Sequence, residues 1–223
     1  MDSTNLLARE NPAGFSGLDH LLLGGEALDP LWKREVLEKG APQKLINGYG
    51  PTENTTFSCC HEIKAPDLGL RSIPIGGPIS NTTAYVLDTL GQPVPVGIPG
   101  ELHLGGDGLA SGYWNRPELT AEKFVANPFD PTEGSRLYRT GDKVCWRPDG
   151  TLEFFGRFDS QIKLRGFRVE LGEIEAELNS CPGLQESVVL ARRNARNDLQ
   201  LAAYIVPQPG ENPHGKGIRA RLK

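Results

Sequence analysis

The sequence predicts an α/β protein with an opening strand–helix–strand unit, a strand-rich middle and a smaller α+β part at its end. Apolar runs on either side of one helical segment predict the opening unit. The 27 glycines and 18 prolines are spread along all 223 residues, which is typical of many short strands joined by tight turns. A rise in charged residues after Gly156 indicates the end of the middle part.

Signals at the element ends predict the opening unit. Residues 20–23 form a short apolar run that we expect to be a buried strand, and residues 44–47 form the next strand. Between them, Asp29 suits the N-cap of a helix, Pro30 its first turn and Gly40 its end. The predicted order is therefore strand, helix, strand.

The middle part is predicted to consist mainly of strands. Apolar or β-branched runs bounded by Gly, Pro, Asn and Asp mark three strands, at residues 83–87, 100–104 and 152–155. Thr120 is expected to cap a short helix that continues to Phe124.

The last part is predicted to repeat the strand–helix–strand order. Its expected elements are a helix and two strands, at residues 172–178, 187–191 and 200–206, and a further helix is expected to start near Ile218. We place a domain boundary at Asp159, which gives a first domain over residues 1–158 and a second over residues 159–223.

Charge and cysteine content bound the classes of function. Lys and Arg total 24 against 28 Asp and Glu, and the net charge of −4 gives no reason to expect nucleic acid or an anionic membrane as a partner. The four cysteines could form two disulfides, but nothing else points to secretion, so buried free thiols are favoured. No apolar segment approaches membrane-spanning length, and we expect a cytoplasmic protein.

The first motif that carries chemistry is NGYGPTE at residues 47–53, next to a predicted strand. Its glycines let the backbone approach a ligand closely, and Tyr49 offers a flat face for a ring such as adenine. The Thr52 hydroxyl could meet a phosphate oxygen, and Glu53 is a hard oxygen ligand of the kind that binds Mg²⁺. The alternative is an ordinary Gly-Pro turn.

The second motif is YRTGD at residues 138–142. A carboxylate at a strand end, such as that of Asp142, can accept hydrogen bonds from both hydroxyls of a ribose. The alternative is a Thr-Gly-Asp hairpin turn, which the five residues taken alone favour.

The third motif, GRFDSQIKLRGFRVELGEIE, occupies residues 156–175. Alternation along its first strand places Gln161, Lys163 and Arg165 on one face, where a polar, cationic surface could meet phosphate. A solvated edge strand is the alternative.

The order and spacing of four motifs resemble those of nonribosomal peptide synthetase adenylation domains, in the superfamily that includes acyl-CoA synthetases and luciferases. The motifs are NGYGPTE, GELHLGGDGLASGYWNRPELTAEKF, YRTGD and GRFDSQIKLRGFRVELGEIE. The resemblance implies that residues 1–158 are the C-terminal part of the large adenylate-forming domain, an α/β unit plus a β-rich subdomain. Residues 159–223 would begin the small α+β C-terminal domain.

The activity implied by the resemblance is activation of an amino acid by ATP and Mg²⁺ as aminoacyl-AMP. The aminoacyl group would then pass to the phosphopantetheine thiol of a peptidyl carrier protein domain, beside neighbouring synthetase domains. The implied contacts are Asn47 and Tyr49 at the adenine, Asp142 at the ribose with Arg157 beside it, and the catalytic pair Thr52 at the α-phosphate and Glu53 at Mg²⁺. Asp159 would be the interdomain hinge, and Gly166 would lie in the loop that approaches the pantetheine arm.

The resemblance also implies a side-chain pocket for the substrate. Its members would be Leu22, Gly24, Gly48, Thr56 and Phe57. The two glycines are expected to leave space, and none of the five residues carries a charge. Because an ionised side chain buried there would lose its hydration without gaining a partner, a neutral, apolar or modestly polar amino acid is expected.

Two parts of the family pattern lie outside this sequence: a Ser/Thr/Gly-rich phosphate loop upstream and a catalytic lysine downstream. Lys216 has the setting of the segment before that lysine. Since positive charge stabilises developing phosphate charge, we expect the isolated chain to be inactive. Two alternatives remain, an acyl- or aryl-CoA synthetase, disfavoured by the RxDxQ setting of Asp159, and a non-catalytic relic or interaction module.

Overall fold

The computed structural model describes residues 11–25, 30–70, 72–159, 161–164, 167–194, 199–211 and 218. The chain divides into two compact units, one from Asp2 to Asp159 and the other from Ser160 to Lys223. In the described residues the architecture is mixed α/β with several separate sheets. No helix among these residues has both the length and the apolar character needed to cross a membrane.

The opening strand–helix–strand unit is present as predicted. Strand β1 (His20–Gly24), helix α1 (Pro30–Gly40) and strand β2 (Lys44–Tyr49) follow one another, and β1 pairs in parallel with β2. Val36 of α1 packs against Leu23 and Leu45 in one core cluster of the unit. The expected N-cap, Asp29, lies outside the described residues.

Strand β1 is less buried than its apolar sequence predicts. Leu23 is buried, but Leu22 is 47% exposed, because alternate residues of a strand point to opposite sides and only one side of β1 meets this core. Strands β3 (Cys59–Glu62) and β4 (Gly77–Pro78) extend the sheet in antiparallel pairing, in the order β1-β2-β3-β4.

The strand-rich middle forms a second sheet in the order β5-β6-β8-β7, with β9 also paired to β8. Its strands are β5 (Thr82–Leu87), β6 (Gly100–Gly106), β7 (Phe124–Ala126), β8 (Arg136–Trp146) and β9 (Leu152–Arg157). The three predicted strands are confirmed with longer ends. The YRTGD motif lies inside β8, so the alternative of a Thr-Gly-Asp hairpin turn is wrong, as is the expectation that Asp142 ends a strand.

The expected helix cap at Thr120 is also wrong. Helix α2 (Pro117–Lys123) begins after Arg116, because proline has a fixed φ and lacks an N–H, which suits the first turn of a helix. Thr120 lies inside this helix, where its hydroxyl donates a hydrogen bond to the Arg116 carbonyl oxygen over 2.8 Å. The same hydroxyl oxygen accepts a bond from the backbone N–H of Tyr113 over 2.9 Å.

Two antiparallel hairpins and one helix with described bounds make up most of the described residues of the second unit. They are β10 (Gln161–Leu164) with β11 (Phe167–Glu170), helix α3 (Leu171–Asn179), and β12 (Leu184–Arg193) with β13 (Leu199–Pro207). The predicted helix and both predicted strands are present as α3, β12 and β13. Both strands follow the helix and pair with each other as a hairpin, so these three elements do not form the expected strand–helix–strand order. Ile218 is helical, whereas the other residues of the last predicted helix lie outside the described residues.

Candidate functional site

The buried carboxylate of Asp142 joins two motifs that are far apart in sequence. Asp142 lies in β8 and is 6% exposed. The Tyr49 hydroxyl, from β2 and 93 residues away, donates a hydrogen bond to one carboxylate oxygen. Arg157, in β9, donates from Nη1 to the other oxygen over 2.5 Å. The fold therefore brings the predicted adenine, ribose and arginine positions into direct contact.

Arg157 also fixes the carboxylate of Asp159, the last residue of the first unit. Its Nε and Nη2 atoms donate to the two Asp159 oxygens over 2.6 and 2.7 Å, in the forked geometry that a guanidinium and a carboxylate favour. A Cβ atom on Gly141 would lie 2.6 Å from Asp159 Oδ2 and 2.7 Å from Arg157 Nη2, and Gly141 has a φ of +73°. The positive φ favours glycine at position 141, and the lack of a Cβ atom there lets this ion pair lie close to the backbone.

Tyr49 does not offer the open aromatic face that we expected. Its ring is 9% exposed and packs in a core cluster with Cys59 and Ile75. Burial first, and the Asp142 carboxylate next, hold the pKa of the phenol well above its ordinary value, so the hydroxyl keeps its proton and acts as a donor. Asn47 is buried too, and its side-chain N–H donates to the Pro74 carbonyl oxygen over 2.7 Å.

Glu53 lies in a short 3₁₀ helix, Thr52–Asn54, immediately after the Gly-Pro segment that follows β2. Glu53 is 5% exposed, whereas Thr52 is exposed. The Tyr113 hydroxyl donates to Glu53 Oε1 over 2.5 Å, and the backbone N–H of Ala110 donates to the Glu53 carbonyl oxygen over 2.9 Å. The turn that carries Glu53 is thus held through both its side chain and its backbone.

The donor set at Glu53 fits a magnesium ion that is shared with a nucleotide. Mg²⁺ is usually held in proteins by one or two carboxylates together with substrate phosphates and water. Among the described residues no cluster of three or more His, Cys, Asp or Glu could hold a metal ion. The single carboxylate of Glu53 is compatible with a divalent ion whose other ligands are phosphate oxygens and water.

The five predicted pocket residues lie around the ends of β1 and β2, but the expected empty space is filled. Gly24 and Gly48 are paired across the two parallel strands. A Cβ atom on Gly48 would lie 2.4 Å from Phe57 Cε1, and one on Gly24 would lie 3.0 Å from the same atom. The expectation that the glycines leave space is wrong, because the Phe57 ring occupies it.

An unusual backbone conformation at Thr55 and Thr56 precedes Phe57. Their φ values are +47° and +34°, in the left-handed region that β-branched residues rarely adopt, and such strain of about 1–3 kcal/mol for each residue is concentrated at functional sites. Thr56 is exposed and Leu22 is 47% exposed, so these two residues of the predicted pocket are accessible to solvent.

The third motif is only partly covered by the described residues. Gln161 is buried and its amide donates to the Glu170 carboxylate, so it does not contribute to the expected phosphate-facing surface. The Lys163 side chain, Arg165 and Gly166 lie outside the described residues. The roles of Asp159 as a hinge and of Gly166 in thiolation remain predictions.

Sequence reasoning missed Tyr113 and Glu101. Glu101, in β6, accepts a bond from the Gly141 backbone N–H over 3.2 Å and forms an ion pair with Arg139 over 3.1 Å, so it supports the backbone beside Asp142. Both residues lie in the long GELHLGGDGLASGYW segment, which the resemblance covers without assigning residue roles.

Comparison with known proteins places these features in a family. Residues 3–114, half of the chain, match the family described as AMP-binding enzyme. Tyrocidine synthase 3 of Brevibacillus parabrevis is 52% identical over 204 residues, which are 92% of this chain and 3% of that protein. Gramicidin S synthase 2 of Brevibacillus brevis is 50% identical over 205 residues, which are 92% of this chain and 4% of that protein.

Solved structures agree with this assignment. Holo-PA1221, a nonribosomal peptide synthetase protein containing adenylation and PCP domains, is 37% identical with a TM-score of 0.84 over 94% of this chain and 36% of that chain. Holo-AB3403, a four-domain nonribosomal peptide synthetase bound to AMP and glycine, is 45% identical with a TM-score of 0.62 over 98% of this chain and 16% of that chain. The chain spans only a small part of the curated relatives that it matches. It belongs to the AMP-binding enzyme family, within which it is a segment of a nonribosomal peptide synthetase adenylation domain.

Proposed function

We propose that this chain supplies nucleotide-binding residues of an adenylation domain that converts a neutral amino acid and ATP to aminoacyl-AMP and pyrophosphate. Residues 1–158 would form the C-terminal part of its large domain, and residues 159–223 would begin its small C-terminal domain. The observation that supports this most directly is the contact of Tyr49 and Arg157 with the buried Asp142, because three separate motifs converge on one carboxylate.

The proposed reaction forms a bond between an oxygen of the amino acid carboxylate and the α-phosphorus of ATP. The bond from that phosphorus to the β-phosphate bridging oxygen breaks, and pyrophosphate leaves with the electron pair. Asp142 would accept hydrogen bonds from the ribose hydroxyls, since an ionised carboxylate can accept several hydrogen bonds at once. Thr52 would donate its hydroxyl to the α-phosphate.

Arg157 and Tyr49 would orient Asp142 toward the ribose, which fixes the α-phosphate relative to the substrate carboxylate. Glu53 would hold magnesium, which when bound supplies positive charge to the phosphates. Asn47 would face the adenine. The Phe57 ring over Gly24 and Gly48 reduces the side-chain pocket, which favours a small neutral amino acid over a large one.

The aminoacyl group would then pass to a carrier thiol. The thiolate of a phosphopantetheine arm would attack the acyl carbon, and AMP would leave. PA1221 contains a PCP domain next to its adenylation domain, which supports a peptidyl carrier protein as the partner here. Neighbouring synthetase domains are proposed on the same ground, since the matched relatives are many times longer than this chain.

The test is a chimera in which residues 1–223 replace the matching segment of PA1221, called the PA1221 chimera below. Amino-acid-dependent ATP–pyrophosphate exchange would be screened with the twenty amino acids, and native PA1221 would serve as the control. We expect exchange with one or a few neutral amino acids. A chimera that is folded by circular dichroism but shows no exchange would contradict the proposal, and a clear preference for Lys, Arg, Asp or Glu would refute the neutral pocket.

A further inference from the structure

The Tyr113 hydroxyl contacts Glu53, the predicted magnesium ligand, although no sequence motif assigns Tyr113 a role. Its hydroxyl is 2.5 Å from Glu53 Oε1, and the two residues are 60 positions apart in the chain. A bond between a hydroxyl and an ionised carboxylate is among the stronger hydrogen bonds in proteins. The contact therefore restricts the orientation of the Glu53 carboxylate.

Several contacts fix Tyr113 itself. Its backbone N–H donates to Thr120 Oγ1 over 2.9 Å, and its ring meets the Phe124 ring edge-on with 5.6 Å between centroids. Gly112 makes the first contact possible, since a Cβ atom there would lie 2.4 Å from Thr120 Cγ2, and its φ is +144°. Tyr113 is thus held through both its backbone and its ring.

The loop that carries Tyr113 is joined to the Glu53 turn at other points too. The Thr55 hydroxyl donates to the Gly108 carbonyl oxygen over 2.8 Å, next to the Ala110 bond to Glu53. Arg136 Nη1 donates to the Ser111 carbonyl oxygen over 3.0 Å, which ties the loop to β8. Because these bonds hold the loop against both the Glu53 turn and β8, Tyr113 presents its hydroxyl to Glu53 from a fixed position.

We propose that Tyr113 is a positioning residue for the metal ligand Glu53: by holding Oε1, its hydroxyl orients the carboxylate so that it binds the nucleotide-associated divalent cation in one geometry. The inference rests on the proposed function of Glu53. Groups that orient a metal ligand commonly change metal affinity by about 10–100-fold when removed, although they never touch the metal.

The test measures metal binding separately from catalysis. Mn²⁺ is the probe, and its affinity for the PA1221 chimera would be measured from the electron paramagnetic resonance signal of unbound Mn²⁺, with a non-hydrolysable ATP analogue present. We expect Tyr113→Phe to weaken Mn²⁺ binding by about 10–100-fold and Glu53→Gln to weaken it at least as much. Tyr85→Phe is the matched control, since Tyr85 is half-buried and its ring stacks on Phe129 in the same unit.

The three variants separate this inference from the proposed function. If Glu53→Gln weakens Mn²⁺ binding and Tyr113→Phe leaves it within twofold of the parent, Tyr113 does not position the ligand and only the inference is overturned. If Glu53→Gln has no effect, the metal assignment of Glu53 is itself wrong. Thr120→Val removes the acceptor of the Tyr113 backbone N–H and provides a second variant, with a smaller loss of affinity expected. Equal midpoints of thermal unfolding would show that Tyr113→Phe acts on the site and not on the fold.

Discussion

Removal of the Asp142 carboxylate is expected to destabilise the first unit strongly. Breaking a buried ion pair by removal of one partner costs about 3–5 kcal/mol. Asp142 is 6% exposed, so its pair with Arg157 counts as buried. Arg157 keeps both of its bonds to Asp159, and we therefore take about 3 kcal/mol, the lower end of that range, as the cost of leaving Arg157 without Asp142. The Tyr49 hydroxyl also loses an acceptor, which adds about 1 kcal/mol. We expect Asp142→Ala to lower the free energy of unfolding by about 4 kcal/mol.

Urea unfolding of the 223-residue chain, followed by tryptophan fluorescence, would measure this loss. Trp32, Trp114 and Trp146 all precede residue 160, so the signal reports on the first unit alone. Asp107→Ala is the matched control, because Asp107 is exposed and should change stability by less than about 0.5 kcal/mol. If the effect of Asp142→Ala were as small as that of this control, the buried network around Asp142 would not exist in solution.

Four further results are expected. In the PA1221 chimera, Phe57→Ala should raise kcat/KM for larger neutral amino acids about tenfold relative to small ones, because the ring over Gly48 is removed; an unchanged ranking would show that Phe57 does not line the pocket. Burial, and then the neighbouring Cys60, raise the pKa of the Cys59 thiol from 9.0 to about 12. Iodoacetamide at pH 8 should therefore label the half-buried Cys60 before Cys59. Cys60→Ser should abolish this rapid labelling, whereas Cys59→Ser should not. The raised pKa also means that the stability which Cys59 contributes is complete below pH 9 and is lost as the pH rises toward 12, which urea unfolding between pH 8 and 11 would show as a falling midpoint. The isolated chain should give no ATP–pyrophosphate exchange with any amino acid, and robust exchange would contradict the need for phosphate-stabilising groups outside it.

Local signals were sufficient to predict the opening unit and most strands. Pro30 and Gly40 mark the two ends of α1 because proline suits a first helical turn and glycine a last one. The same rule applied to Pro117 would have given the start of α2, whereas Thr120 resembled a cap only in residue type. A side chain that can cap is thus a weaker signal than a proline whose φ is already fixed.

The candidate site depended on long-range packing that no local pattern contains. Tyr49 and Asp142 lie in different sheets, 93 residues apart, and only the resemblance to a family suggested that they share a ligand. Glycine at position 48 indicated space, but the left-handed backbone at Thr55 and Thr56 precedes a Phe57 ring that lies in that space. Tyr113 was missed because its partner, Glu53, becomes its neighbour only after the loop folds against the turn.

A crystal structure of the PA1221 chimera with AMP bound would show directly whether Asp142 holds the nucleotide. We expect both ribose hydroxyls to lie about 2.6–3.2 Å from the carboxylate oxygens of Asp142, with Arg157 still in contact with that carboxylate. An AMP molecule whose ribose is held by other residues, with Asp142 bonded only to Tyr49 and Arg157, would contradict the proposed nucleotide site.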